Sequence, residues 1–85
     1  MKQFDHVVKD ELGIHARPAG LLVAEAKNFP CEISISRGEK AADAKRIFAV
    51  MGLGVKCGET ITLRCEGEQE AEACAALQQL LAACL

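Results

Sequence analysis

Eighty-five residues can enclose one hydrophobic core but are too few for a catalytic cleft between two domains, so the sequence predicts a single domain over residues 1–85. The formal net charge is −2 and the 10 Lys and Arg residues form no run, which argues against nucleic acid as a partner. No apolar stretch approaches the roughly 18 residues of a membrane span, and the apolar core of a signal peptide is missing. We therefore expect a cytoplasmic protein that does not bind membranes.

The five cysteines predict neither a disulfide framework nor a metal site. Their number is odd and they form no CxxC pair, so we expect reduced thiols and no structural zinc. Cys31, Cys65 and Cys74 lie on predicted apolar faces and are expected in the core. Cys57 follows Lys56 in a predicted loop, where a reactive thiol is the alternative to an incidental exposed cysteine.

The first third of the chain predicts a strand, a loop and a helix. Residues 2–8 alternate in polarity as an extended segment does. His6 takes an apolar position there, and a partly solvated imidazole on an edge strand is favoured over a metal-binding or catalytic role. After a loop over residues 9–14, apolar residues recur at helical spacing over 16–28, which predicts an amphipathic helix.

The middle of the chain predicts a hairpin followed by an unusually apolar segment. Residues 31–37 alternate strictly and form the second predicted strand. Gly38 and Glu39 supply a two-residue turn with glycine first, the type II′ choice, so residues 40–43 pair back as a third strand. Segment 44–54 is apolar around more of its circumference than one core face requires. It is either a short buried helix or a helix with apolar surface exposed for docking.

The last third predicts one more strand and a terminal helix. Residues 60–66 alternate again. The glutamates after Gly67 suit a helix N-terminus, and an apolar stripe at helical spacing continues from there to the end of the chain. The order is therefore β-α-β-β-α-β-α, and each strand shows one apolar face. We predict an α+β fold, an open-faced β-sandwich in which the helices cover one face of the sheet.

A histidine stands where the loop over 9–14 meets the first helix, in the sequence GIHARPA. Gly13 allows a positive φ, and Pro18 is tolerated only in the first turn of a helix, so His15 is expected at or just before the helix N-terminus. Unpaired amides and the helix dipole make an anion site there. A neutral imidazole beside an anion site suggests phosphoryl chemistry, and the alternative is an ordinary helix-capping residue.

Two neighbours of the histidine suit this chemistry. Phosphoryl transfer requires mainly positioning and charge stabilisation. We expect the backbone amides of Ala16 and Arg17 to bind the phosphoryl oxygens, and the Arg17 guanidinium to add a mobile charge-assisted donor.

The GIHARPA sequence, the order of elements and the segment IFAVMGLG over 47–54 resemble the HPr family, the histidine-containing phosphocarriers of the bacterial sugar phosphotransferase system. The resemblance spans essentially the whole chain. It implies an antiparallel four-stranded sheet in the order 1-4-2-3 and no cofactor. It further implies that Enzyme I, phosphorylated by phosphoenolpyruvate, transfers its phosphoryl group to His15, that Arg17 is the arginine of the site, and that Enzyme IIA accepts the group next.

The same resemblance implies a docking surface for these partners, and we expect the protein to be a monomer. The residues expected on it are Gly20, Lys27, Ile47, Phe48 and Met51, with Lys45 and Arg46 at its edge. Exposed aromatic and methionine side chains suit a transient interface that accepts several partners. Packing in the core is the alternative for Phe48.

Four positions depart from the family pattern: Arg46 and Leu12, and Gly52 and Cys57, which replace more polar residues. Arg46 stands where HPr proteins of many Gram-positive bacteria carry a regulatory serine, so phosphorylation by HPr kinase at this position is chemically impossible. The change also removes a good N-cap and leaves Asp43 as the nearest alternative. Leu12 stands where a small polar residue is common in the loop. These departures bear on the choice of partners and on catabolite repression.

Three other functions remain open on the sequence. A paralogue in a nitrogen-type or regulatory phosphotransferase chain would use the same histidine chemistry with other acceptors. A non-catalytic adaptor would bind its partner through Ile47, Phe48 and Met51 and would need neither His15 nor Arg17. A thiol redox module would need paired cysteines, which the spacing does not offer.

Overall fold

A computed structural model describes all 85 residues. Its four strands are β1 (Lys2–Val7), β2 (Glu32–Arg37), β3 (Lys40–Asp43) and β4 (Thr60–Glu66). They form one sheet in the order β1-β4-β2-β3, and every neighbouring pair is antiparallel. This order and direction confirm the predicted topology. The first two strands are each slightly shorter than the alternation indicates.

The helices are α1 (Ala16–Ala26), α2 (Ile47–Gly52) and α3 (Glu70–Cys84). All three pack on the same face of the sheet, and the other face stays open. Helix α3 contacts β1 and β4, α2 contacts β3, and α1 packs against both other helices. None of these helices has the length and apolar character needed to cross a membrane.

The core lies between the sheet and the helices. The alternating residues of the two central strands point into it, as predicted, because successive side chains of a strand face opposite sides. The buried ones include Ile33, Ile35, Ile61, Leu63 and Cys65. Helices α1 and α3 contribute Leu22, Leu77 and Leu81 to the same cluster. Burial of each such side chain stabilises the fold by roughly 1.5–3 kcal/mol, which fixes α1 and α3 on the sheet.

Helix α2 is shorter than the expected segment 44–54. The Oδ1 atom of Asp43 accepts a hydrogen bond of 2.9 Å from the amide of Lys45, and the Asp43 carbonyl accepts one of 3.1 Å from the amide of Arg46. These bonds form a turn before the helix. Arg46 is the N-cap residue, and no side chain caps α2. The expected capping by Asp43 is therefore wrong, because its carboxylate stabilises the preceding turn instead.

The hairpin between β2 and β3 is tied to the end of α2. Gly38 has a φ of +58° and Arg37 pairs with Lys40, which confirms the two-residue turn. Arg37 also donates from Nη1 to the carbonyl of Leu53 at 2.6 Å and from Nε to the carboxylate of Glu59 at 2.9 Å. The hairpin thus holds the segment after α2 in place.

The cysteines are all free thiols. Cys31 and Cys65 are buried as expected, whereas Cys74 is half-buried and Cys57 is exposed. Burial raises the pKa of the Cys65 thiol to about 11, and the nearby Cys31 and Cys74 add to the shift. Cys65 is therefore a packing residue with little thiolate character.

Candidate functional site

The loop between β1 and α1 is held tightly against the segment that follows α2. The amide of Val8 donates to the carbonyl of Glu59 at 2.9 Å, and the amide of Ile14 donates to the carbonyl of Val55 at 3.1 Å. Gly13 has a φ of +67°, and a Cβ atom there would lie 2.2 Å from the carbonyl oxygen of Val55. Only glycine fits this position, so the loop reaches α1 along a fixed path.

His15 is the N-cap residue of α1, as the sequence predicts. Its backbone is extended, with φ −109° and ψ −173°, and its carbonyl accepts a hydrogen bond of 3.0 Å from Ala19. Its side chain makes no capping hydrogen bond and is 36% exposed. The first helical amides belong to Ala16 and Arg17, since Pro18 has none, and no side chain caps them.

Asp10 contacts the imidazole from the loop. Its Oδ2 atom lies 3.4 Å from Nε2 of His15, and its Oδ1 atom accepts a hydrogen bond of 2.9 Å from the amide of Leu12. The Leu12 amide, and secondarily His15, hold the pKa of the Asp10 carboxyl below its usual range. Sequence reasoning placed Asp10 in the loop without a role. Its position five residues before His15, across the tight turn at Gly13, is the signal that could have identified it.

His15 and Arg17 line a shallow depression of about 320 Å³. The other lining residues are Asp10, Pro18, Leu21, Ala83 and Cys84. Leu21 lies one helical turn after Arg17, so helical spacing could have placed it here. Cys84 reaches the depression only because α3 packs against α1. Burial, with a smaller contribution from the charge of Asp10, raises the pKa of the Cys84 thiol.

The residues expected at a docking surface differ in exposure. Phe48 is 82% exposed, which excludes the alternative of core packing. Ile47 and Met51 are half-buried and pack against the core from the same helix. Gly20 of α1 is also half-buried, and a Cβ there would lie 3.9 Å from Cδ1 of Ile47, so α1 and α2 approach closely at this point. Lys27 is exposed at the end of α1.

The two basic residues before α2 behave differently. Lys45 is half-buried, and its Nζ atom donates to the carbonyls of Phe29 at 2.7 Å and Cys31 at 2.8 Å. It therefore holds the connection between α1 and β2. Arg46 is exposed and carries its charge at the start of α2.

His6 and Cys57 lie outside the depression. His6 is half-buried on the edge strand β1, and its Nε2 atom is enclosed without a hydrogen-bond partner. Cys57 is exposed, with its Sγ atom 3.7 Å from the carbonyl of Lys9. No group of three or more His, Cys, Asp or Glu side chains is arranged to hold a metal ion.

The fold and the site together define a small open-faced α+β protein that presents a histidine at the N-terminus of its first helix. The family model described as "PTS HPr component phosphorylation site" matches residues 2–83. The phosphocarrier protein HPr of Lysinibacillus sphaericus is 51% identical over 81 residues, which cover 95% of this chain and 92% of the relative. The chain therefore belongs to the HPr family, the phosphocarrier proteins of the phosphotransferase system.

Solved structures agree with this assignment. A crystal structure of HPr from Thermoanaerobacter tengcongensis, 38% identical, matches with a TM-score of 0.93 over 98% of this chain and 93% of that one. The structure of an HPr dimer from the same organism matches with a TM-score of 0.78 over 98% and 95% of the two chains, also at 38% identity. The family thus includes dimers, and the monomer expected for this chain stays a prediction.

Proposed function

We propose that this chain receives a phosphoryl group on His15 from phosphorylated Enzyme I and passes it to Enzyme IIA in sugar uptake. The observation that carries the proposal is the half-exposed imidazole of His15 at an N-terminus of α1 that no side chain caps. Membership of a family of phosphocarriers supports the chemistry, and the sequence GIHARPA supports the position.

The start of α1 suits a group that gains negative charge. In the transfer, a bond forms between an imidazole nitrogen and phosphorus while the bond between phosphorus and the donor breaks. The transition state is loose, so the site contributes positioning and charge stabilisation rather than further covalent chemistry. The amides of Ala16 and Arg17 and the positive end of the helix dipole supply that stabilisation, worth roughly 0.3–1 kcal/mol per charge at an exposed site.

Arg17 supplies the mobile part of the site. It is the second residue of α1, it is exposed, and it lines the same depression as His15. A guanidinium can form two parallel hydrogen bonds with phosphoryl oxygens. A carrier must also release the group, so a flexible exposed arginine fits better than a rigid enclosing pocket.

We assign partner binding to the surface formed by Gly20, Lys27, Ile47, Phe48 and Met51. Phe48 is the most exposed large apolar side chain of the molecule. Exposed aromatic residues provide much of the energy at interfaces, and methionine adapts to partners of different shape. Enzyme I and Enzyme IIA would use this surface in turn, each approaching the same histidine.

The first test is phosphorylation with phosphoenolpyruvate and Enzyme I, followed by mass spectrometry of the intact protein. We expect one acid-labile phosphoryl group on the wild type and none on His15→Ala. His6→Ala is the matched control, because it removes the other of the two histidines and is expected to keep the label. An unlabelled wild type beside an active Enzyme I would contradict the proposal.

The second test concerns the acceptor. The labelled protein is mixed with sugar-specific Enzyme IIA or with the acceptor of a nitrogen-type chain, and the transfer rate is measured. Faster transfer to the sugar-specific acceptor is the expected result, and the reverse would favour the paralogue. A His15→Ala protein with the full cellular effect of the wild type would favour the adaptor.

A further inference from the structure

Asp10 is the most extensively bonded residue of the loop that leads to His15. Its amide donates to the carbonyl of Leu85 at 3.3 Å, and its own carbonyl accepts from the amide of Gly13 at 2.9 Å. Its Oδ1 atom accepts from the amide of Leu12 at 2.9 Å. The two backbone bonds hold the loop at Asp10, and the bond to Oδ1 fixes the direction of the carboxylate. The remaining oxygen, Oδ2, lies 3.4 Å from Nε2 of His15.

We propose that Asp10 is a positioning residue for His15, whose carboxylate holds the imidazole proton on Nε2 and thereby leaves Nδ1 as the nitrogen that attacks phosphorus. The inference rests on the proposed function, in which His15 accepts the phosphoryl group. A neutral imidazole has one nitrogen that donates and one that accepts, and its hydrogen-bond partners decide which is which. An ionised carboxylate only accepts, so it selects the tautomer with the proton on Nε2.

The surroundings of the imidazole favour this assignment. Among the seven residues that line the depression, Asp10 is the only one with a carboxylate side chain. Its side chain is 28% exposed and that of His15 is 36% exposed, so the contact is partly shielded from water. The Leu12 amide lowers the pKa of the Asp10 carboxyl, and the group is therefore ionised at neutral pH.

The transfer balances without loss of a proton. The lone pair of Nδ1 forms the bond to phosphorus as the bond between phosphorus and the donor breaks, and Nε2 keeps its proton. The ring gains positive charge, and the Asp10 carboxylate stabilises this charge from the Nε2 side of the ring. When the group moves on to an acceptor, the bond between Nδ1 and phosphorus breaks, and the ring returns to the neutral tautomer from which it started.

The variant that isolates this role is Asp10→Asn. Asparagine keeps the shape and an oxygen that can accept from the Leu12 amide, but its other atom is a nitrogen that donates. Facing Nε2, that nitrogen favours the opposite tautomer. Asp43→Asn is the matched control, because the Oδ1 atom of Asp43 accepts from the amide of Lys45 at the same 2.9 Å, and no histidine lies beside it.

The first readout is the imidazole tautomer of the unphosphorylated protein, from nitrogen-15 spectra at about pH 8.5, where a free imidazole is neutral. We expect the proton of His15 on Nε2 in the wild type and in Asp43→Asn, and a shift toward Nδ1 in Asp10→Asn. A wild-type proton on Nδ1 overturns the proposal by itself, whether or not any variant folds. An unchanged tautomer in a folded Asp10→Asn protein also overturns it.

The second readout is the initial rate of phosphorylation by Enzyme I and phosphoenolpyruvate. We expect Asp10→Asn to be slower by roughly 10- to 100-fold, by analogy with the range seen when the partner that orients a metal-binding histidine is removed. Asp43→Asn is expected to match the wild type, and equal rates for Asp10→Asn and wild type contradict the role of Asp10. If an active Enzyme I labels no protein at all, the proposed function fails, and the spectra still decide the role of Asp10.

Discussion

Helices α1 and α2 both begin after an aspartate turn and an extended N-cap residue, but the side chains at the N-cap differ. Each follows a turn in which an aspartate, Asp10 or Asp43, accepts the amide two residues later at 2.9 Å. Each has an extended N-cap residue, His15 or Arg46, and neither receives a side-chain cap. Helix α1 has 11 residues and α2 has 6.

In the proposed function, the side chain at the N-cap is what distinguishes the reactive N-terminus of α1 from that of α2. At α1, the N-cap side chain is an imidazole whose Nε2 atom lies 3.4 Å from the carboxylate of the preceding turn. At α2, the N-cap side chain is a permanent cation at the positive end of a short helix, which is electrostatically unfavourable. No side chain caps either N-terminus, so the side chain at the N-cap is the main chemical difference between them.

The largest expected effect comes from breaking the approach to α1. Gly13→Ala places a Cβ atom 2.2 Å from the Val55 carbonyl oxygen at a φ of +67°, so we expect a loss of about 3 kcal/mol in the free energy of unfolding. Gly38→Ala is the matched control, because its φ is +58° and open space surrounds the new methyl group. Its expected cost is about 1 kcal/mol. If urea denaturation gave equal losses in the free energy of unfolding for both variants, close packing at Gly13 would contribute nothing to stability.

A second prediction compares Arg17 at the N-terminus of α1 with Arg46 at the N-terminus of α2. Arg17→Ala is expected to slow phosphorylation by Enzyme I by roughly 10- to 100-fold, the loss of about 1.5–3 kcal/mol of charge-assisted hydrogen bonding in the transition state. Arg46→Ala is the control and removes the same charge from the start of α2. Repeating the assay with phosphoramidate, a small phosphoryl donor, separates the transfer step from docking. An equal slowing by both variants with the small donor would contradict the role of Arg17.

The strands and the position of His15 at the start of α1 could be predicted because their signals are local. Alternation with period two located β1, β2 and β4, and the turn at Gly38 and Glu39 located β3. Gly13 and Pro18 located the start of α1 through their backbone conformations alone. Membership of the family added the order of the strands, which alternation does not determine.

The parts that could not be predicted depend on contacts between distant segments. The start of α2 depends on which amide the Asp43 carboxylate reaches. The periodicity of segment 44–54 left open whether Phe48 is buried, and the packing of α2 on β3 turns it outward. Cys84 joins the depression because α3 packs on α1, and no spacing in the sequence contains that information.

A third prediction converts the start of α2 into a better cap. Arg46→Ser supplies a hydroxyl that can accept from the free amides of α2 and removes a cation from the positive end of the helix. We expect a gain of about 0.5–1 kcal/mol in the free energy of unfolding relative to Arg46→Ala, measured by thermal denaturation. The rate of His15 phosphorylation with the small donor should not change. A serine variant no more stable than the alanine variant would show that the amides of α2 need no cap.

The smallest expected effect separates the charge of Asp10 from its shape. The pKa of this carboxyl is lowered from 3.8, chiefly by the Leu12 amide and then by His15. Between the native pKa and the unfolded pKa of Asp10, the unfolded chain therefore binds more protons than the native one. The contribution of the Asp10 charge to the free energy of unfolding is thus present above about pH 4 and is lost as the pH falls through the native pKa. Asp10→Asn lacks this titration but keeps an acceptor for Leu12, and every other titrating group is common to both proteins. The difference in Tm between wild type and variant should consequently shrink as the pH falls from about 6 to about 2.5. A difference that stays constant over that range would mean that only the shape of the Asp10 side chain stabilises the loop before α1.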